Sequence, residues 1–206
     1  DAKAGEIYRG SNIGSPPVND KMPERLRGVV QIKVGDNITT DHIMPAGSRL
    51  RYRSNIPKYS EYVFRPIDRA FPQRAMKDKA KGKHSVIVAG ESYGQGSSRE
   101  HAAMCPMYLG VKAVVAKSVE RIHTANLVNF GILPLVFTDP ADYDKIDQRD
   151  EVELPDLKKK LENDEVLVLV DKTKDLEIAL AHSLGQRQKD IIYAGGLLPY
   201  TVGQQG

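Results

Sequence analysis

The chain reads as a mixed α/β domain with central buried strands, and three observations predict it. Short β-branched apolar runs recur at Ser85-Val86-Ile87-Val88-Ala89, at Ala113-Val114-Val115-Ala116 and from Ile132 to Phe137; such runs mark strands covered on both faces. Between them lie segments with polar starts and glycine stops, the pattern of connecting helices. Beyond residue 150 strand-like and helix-like stretches keep alternating around the same core.

Taken in order, residues 1–28 are rich in Gly, Pro, Asn and charge. They are expected to form a linker or surface-hugging arm before a domain spanning 29–206. Val29–Val34 alternates as a first strand and runs into the turn Gly35-Asp36-Asn37. Residues 38–53 read as a loop and then a short helix or extended stretch. Residues 54–84 are irregular, with Arg65, Arg69, Arg74, Lys77, Lys79, Lys81 and Lys83 set against Asp68 and Asp78. A solvated helix face accounts for them better than a nucleic-acid patch.

The strand at 85–89 ends in the glycine-rich loop Gly90–Gly96. A helix should follow from Ser98 to Tyr108, stopped at Gly110. After the strand at 113–116, Ser118 is expected to cap a helix whose apolar side includes Val119, Ile122, Leu127 and Phe130, ending at Gly131. Further elements are a strand at 132–137, another at Glu151–Leu154, a charged helix around Leu157–Leu161 and a strand at Glu165–Val170. Leu176–Leu184 suits strand or helix equally. Ile191–Leu197 closes the chain as a helix and turn.

With 40% hydrophobic and 28% charged residues, 206 residues suffice for one sizeable core. The 30 basic and 27 acidic residues leave a charge of only +3, which points to neither nucleic acid nor a membrane surface. No apolar run approaches the ~18 residues of a membrane span, and no signal peptide is visible. The single cysteine, Cys105, excludes an internal disulfide framework, so an intracellular, cytoplasmic location is expected. One thiol is also too few for an iron–sulfur cluster, so no metal site is expected here. The chain opens without Met and reads as a fragment of a longer protein.

The segment Val86–His101 carries the strongest chemical signal. A buried strand, a glycine-rich loop and the start of a helix at Ser97-Ser98-Arg99-Glu100 would gather free N–H groups and the positive helix end at one point. Such a point attracts anions. Gly94 and Gly96 allow close backbone approach, and Arg99 adds a planar fork for a carboxylate or phosphate. The lysine of a phosphate loop is missing, and Arg99 replaces the third glycine of a dinucleotide loop. Ser97 and Glu100 also match a capping box, which requires no function. His101 and Cys105, one turn apart, are too few for a metal and fit burial against the sheet.

Two stretches in this order carry a resemblance: Gly35-Asp36-Asn37-Ile38-Thr39-Thr40-Asp41-His42-Ile43-Met44-Pro45-Ala46-Gly47, and Gly90-Glu91-Ser92-Tyr93-Gly94-Gln95-Gly96-Ser97-Ser98-Arg99-Glu100-His101. They resemble the two motifs of the C-terminal swivel domain in the aconitase/isopropylmalate isomerase family, with the compact bacterial aconitase type most similar. Arg121-Ile122-His123-Thr124-Ala125-Asn126-Leu127 and Gly131-Ile132-Leu133-Pro134-Leu135 extend the likeness, which covers about residues 29–200.

The resemblance implies a three-layer β/β/α swivelling domain with a mixed central sheet. It implies a partner region, covalently attached or a separate subunit, that holds a [4Fe-4S] cluster, and a tricarboxylate substrate interconverted between citrate and isocitrate through cis-aconitate. By motif position Ser97 is the base that takes a proton from carbon, and Ser98 and Arg99 hold substrate carboxylates. Asp41 orients a histidine of the cluster region, and Arg53, twelve residues on, grips the terminal carboxylate. Arg51 is chemically almost as suitable as Arg53. Asp41 also suits a turn or cap, and His42 reads as structural. Ser92 and Gln95 stand where relatives often have Asn and Glu.

Two other readings stand beside this one. The small subunit of an isopropylmalate or homoaconitate isomerase would share the fold and the Ser-Arg loop, but its substrate does not call for Arg53. A non-catalytic RNA-binding module would rest on the basic 65–83 segment alone. Alone, the chain is expected to be inactive.

Overall fold

A computed structural model describes residues 10, 12–14 and 17–204. Its framework is a seven-stranded closed barrel: β1 (Leu26–Val34), β2 (His84–Ala89), β3 (Val111–Ala116), β4 (Leu133–Phe137), β5 (Glu151–Leu154), β6 (Leu167–Asp171) and β7 (Leu176–Ala181), in the order β1-β2-β3-β4-β7-β6-β5. The first four run parallel. β7, β6 and β5 return antiparallel and close onto β1, where Leu26–Val29 pair with Leu154–Glu151. That pairing explains why β1 begins three residues before the expected Val29. The mixed α/β class holds, but the sheet curls shut instead of lying as an open layer.

The continuous apolar runs are explained by two cores, one on each side of the parallel strands. Val86, Val88, Ala113, Val115, Leu133 and Leu135 point into the barrel and meet Val152, Leu167, Leu169, Ile178 and Leu180. Their neighbours Ile87, Ala89, Val114 and Ala116 point outward. They are covered by α1 (Thr40–Ile43), α2 (Ile56–Ser60), α3 (Phe71–Lys79), α4 (His101–Tyr108) and α5 (Arg121–Asn129), through Ile43, Tyr59, Phe71, Cys105 and Leu127 among others. Alternating side chains therefore serve different cores, and no position on β2 or β3 can be polar without burying that group.

Several local expectations change. The irregular 54–84 stretch contains α2 and α3; Lys77 and Lys79 lie exposed on α3, whereas Arg74 turns inward to Asp68 and the carbonyl of Gln31. Leu176–Ala181 is a strand, set by its pairing with β6. The tail forms α7 (Gln186–Ala194) and α8 (Leu197–Gly203), separated by Gly195 and Gly196, both at positive φ; α6 spans Leu157–Glu162.

Ser118 does not cap α5. Its hydroxyl accepts from the Ser92 amide at 2.8 Å and donates to Glu91 at 2.6 Å, pinning the glycine loop, while Glu120 takes the cap position. Ile122, expected to be buried, is 49% exposed.

Candidate functional site

In parallel sheets the carboxyl ends of the strands are the usual place for ligands. Here the loops after β1, β2 and β3 interlock at that end. The Asn37 amide donates to the Glu91 carbonyl at 2.7 Å, the Lys117 amide to the Ala89 carbonyl at 3.2 Å, and the Tyr93 amide to the Ser118 carbonyl at 3.0 Å. The Ile38 carbonyl accepts from both Gly94 (2.7 Å) and Gln95 (3.1 Å), and the Gln95 carbonyl accepts from Thr40 at 2.9 Å. These backbone bonds, together with Thr40 Oγ1 donating to the Ser97 carbonyl at 3.2 Å, hold the loop and leave the Ser97 and Ser98 side chains exposed.

The two glycines differ in what they do. Gly94 has φ of +85°, and a Cβ there would lie 2.3 Å from the His123 ring, so both conformation and space demand glycine. It packs against His123, and both residues line the cleft beside Ser97. Gly96, with φ of +108°, has only Thr40 Oγ1 near at 3.6 Å and opens to the surface. His123 itself is 1% exposed, and burial pushes its imidazole down to about 4, so the ring is neutral.

The helix start expected at Ser97–Glu100 is displaced. α4 begins at His101 with Glu100 at its cap, and no Ser97–Glu100 capping box forms. The capping box is instead in the first motif, where Thr39 Oγ1 accepts from the His42 amide and His42 Nδ1 accepts from the Thr39 amide. That gives His42 the structural part expected of it. Ser97 and Ser98 stay outside α4 because the Ser97 carbonyl is tied to Thr40, and Arg99 is drawn to Asp41 on α1.

The helix end facing the serines belongs to α5. A cleft of about 220 Å³ is lined by Ser97, Ser98, Thr40, Arg121, His123 and Asn126, among others. Asn126 donates to the Ser98 hydroxyl at 3.4 Å. Hydroxyls, an amide, the Arg121 cation and the positive end of α5 therefore share one concavity, with Glu120 as its one acidic member. Thr40, Arg121 and Asn126 were not singled out from the sequence, although all three lie in its resembling stretches.

Asp41, Arg53 and Arg99 lie outside this cleft. Arg99 grips Asp41 with both arms, Nη1 to Oδ1 and Nη2 to Oδ2, the latter at 3.0 Å. This fork geometry is the strong form of the pair. Arg53 is exposed on the turn after a 3-10 segment, Gly47–Tyr52, and its carbonyl lies 2.9 Å from Nε2 of His101, the residue that follows the Ser-Arg loop. Arg51 differs: its guanidinium lies 4.7 Å from the ring of its neighbour Tyr52.

The Arg99 guanidinium beside Asp41 holds that carboxyl below its ordinary value of 3.8, against the opposing pull of burial. A carboxylate depressed in this way adds stability above its unfolded pKa and loses it as pH falls through the folded value. The pair is therefore intact at neutral pH and breaks only in acid. Carboxyl-detected NMR should show the Asp41 midpoint rising in Arg99→Gln; an unmoved midpoint would assign the depression to another group.

Cys105 is buried and its thiol is pushed up to about 12, so it packs and does not ligate. Among the described residues no three His, Cys, Asp or Glu side chains stand together as metal ligands. The chain's own residues do not fit an iron–sulfur cluster.

Comparison with known proteins adds the following. The family of aconitase C-terminal domains matches residues 21–140. A probable mitochondrial aconitate hydratase of Caenorhabditis elegans is 37% identical over 189 residues, and the mitochondrial aconitate hydratase of Gracilaria gracilis 38% over 189; each alignment covers 82% of this chain but 24% of the relative. The chain thus spans about a quarter of the length of these relatives. A crystal structure of a 3-isopropylmalate dehydratase from Methanocaldococcus jannaschii superposes with a TM-score of 0.71 at 32% identity, over 88% of this chain and 95% of that one.

Proposed function

The chain belongs to the aconitase C-terminal domain family, and from that premise we propose that it is the swivel domain of an aconitate hydratase, interconverting citrate and isocitrate through cis-aconitate. The observation that carries this reading is the exposed Ser97-Ser98 pair in a cleft with Asn126 and Arg121, on a loop held by its backbone. Identities of 37% and 38% to aconitate hydratases support the substrate choice.

In this reading the Ser97 alkoxide takes the proton from the substrate carbon as hydroxide leaves the adjacent carbon on the side of the partner region, and returns that proton when water adds back. A serine hydroxyl is too weakly acidic to work alone, so the oxyanion must be met by preorganised donors in a site that closes against water. The Ser98 hydroxyl stands beside it, and Arg99 and Arg53 hold carboxylates. Arg99 is paired with Asp41 in this chain by itself. Asp41 turning to a histidine of the partner region would free the Arg99 fork for substrate. The [4Fe-4S] cluster belongs to that region, attached or separate, which the present sequence does not include. Swivelling of a three-layer β/β/α unit over it, a linker or N-terminal arm within residues 1–28 and a cytoplasmic location form part of the same proposal.

A second reading has its own support: the match to the isopropylmalate dehydratase structure covers 95% of that chain at 32% identity. Activity of the protein with its cluster-bearing region on citrate and on isopropylmalate separates the two. Turnover of citrate is expected, and turnover of isopropylmalate alone would replace the first reading by the second.

A further inference from the structure

His101, the first residue of α4, directly follows the loop bearing Ser97, Ser98 and Arg99, and the reading above gives it no part. Its Nε2 lies 2.9 Å from the Arg53 carbonyl oxygen, and its ring packs edge-on against Tyr59 with centroids 5.3 Å apart. A carbonyl only accepts, so Nε2 carries a proton in this contact.

The turn that carries Arg53 is tied at four successive carbonyls. Arg51 O accepts from the Asn12 side-chain amide, Tyr52 O from the Asn55 amide at 2.7 Å, Arg53 O from His101 and Ser54 O from the Gly14 amide at 2.9 Å. Of these ties, the one at Arg53 comes from the segment that also bears the serines. It crosses 48 residues of sequence and sets the distance between two parts of the site.

We propose that His101 is a positioning residue: its Nε2–H holds the Arg53 backbone in register with the Ser97–Arg99 loop, so that both ends of a polycarboxylate are met at a fixed spacing. This rests on the reading that Arg53 grips a substrate carboxylate. Arg53 is exposed and has a long, flexible side chain, and a fixed backbone removes part of the ordering its guanidinium would otherwise undergo at each binding event.

The test uses the complete enzyme, with its cluster-bearing region, and citrate as the probe. His101→Leu removes the donor and is expected to raise KM about tenfold, with kcat within about threefold, because binding and not proton transfer is affected. His101→Gln places an amide donor near the Nε2 position and should restore most of the affinity. His101→Asn, whose amide falls near Nδ1, should not. In the double variant Arg53→Ala/His101→Leu, KM should be no higher than in Arg53→Ala alone, since the histidine acts through Arg53.

In the enzyme labelled with ¹⁵N-histidine, the His101 signals, assigned by their loss in His101→Gln, should show a protonated Nε2. That measurement and the Gln–Asn contrast decide the matter even if His101→Leu does not fold. Additive effects in the double variant, failure of Gln to rescue, or an unprotonated Nε2 would each overturn the proposal. If Arg53→Ala raises KM and His101→Leu does not, only the histidine's role falls. If Arg53→Ala leaves KM unchanged, the underlying reading of Arg53 falls, and the positioning role with it.

Discussion

Ser97→Ala in the complete enzyme is expected to lower kcat by about 10³-fold, inside the 10²–10⁴ range of a positioned proton-transfer group, with KM for citrate changed by less than about threefold. The split follows from where Ser97 sits. Its carbonyl, not its hydroxyl, is what Thr40 binds, so losing the hydroxyl leaves the loop's path intact. The amides of Gly94 and Gln95 remain on the Ile38 carbonyl, and Asn126 remains on Ser98. Steady-state kinetics on citrate and isocitrate would measure this. A fall in kcat of less than about tenfold in both directions would remove Ser97 from the proton's path.

The second large effect is expected at Arg53. Arg53→Ala should raise KM for citrate about 10²-fold, as for truncating one partner of a charge-assisted pair and leaving the other uncompensated, while kcat changes far less. Arg53→Lys should recover only part of the loss, because an ammonium cannot reproduce a two-armed contact with a carboxylate. Arg51→Ala is the control. That guanidinium already lies near the Tyr52 ring, and its loss should move KM by less than about twofold. Equal effects at the two positions would return Arg51 to consideration.

Much of this site could be read from the residues, and the parts that could not share a cause. Val86–Ala89 and Ala113–Ala116 announce themselves as strands because burial on both faces demands unbroken apolar sequence. The Ser-Arg loop is legible because its glycines and polar residues interrupt that pattern. What stayed hidden depends on partners far along the chain. Ser97 and Glu100 satisfy a local capping rule, yet the local rule loses to Thr40 and Asp41, which bind the loop from 57 and 58 residues away. Leu176–Ala181 suits either element in isolation and becomes a strand only because β6 offers its ladder. The cleft's third wall, Arg121 and Asn126 on α5, likewise comes from bridging loops that no spacing in one segment encodes. Barrel closure was also out of reach, since it is a property of β1 meeting β5 and not of either strand alone.

That closure has a consequence for association. An open sheet presents an outer strand with a row of unsatisfied amides and carbonyls, onto which another polypeptide can add itself as one more strand. Among the described residues every strand has a neighbour on both sides, and the thin seam between β4 and β7 is still joined at Val136–Phe137 and Leu180–Ala181, so little edge is left for such an addition. Any surface that docks on this domain would do so by contacts other than extending its sheet.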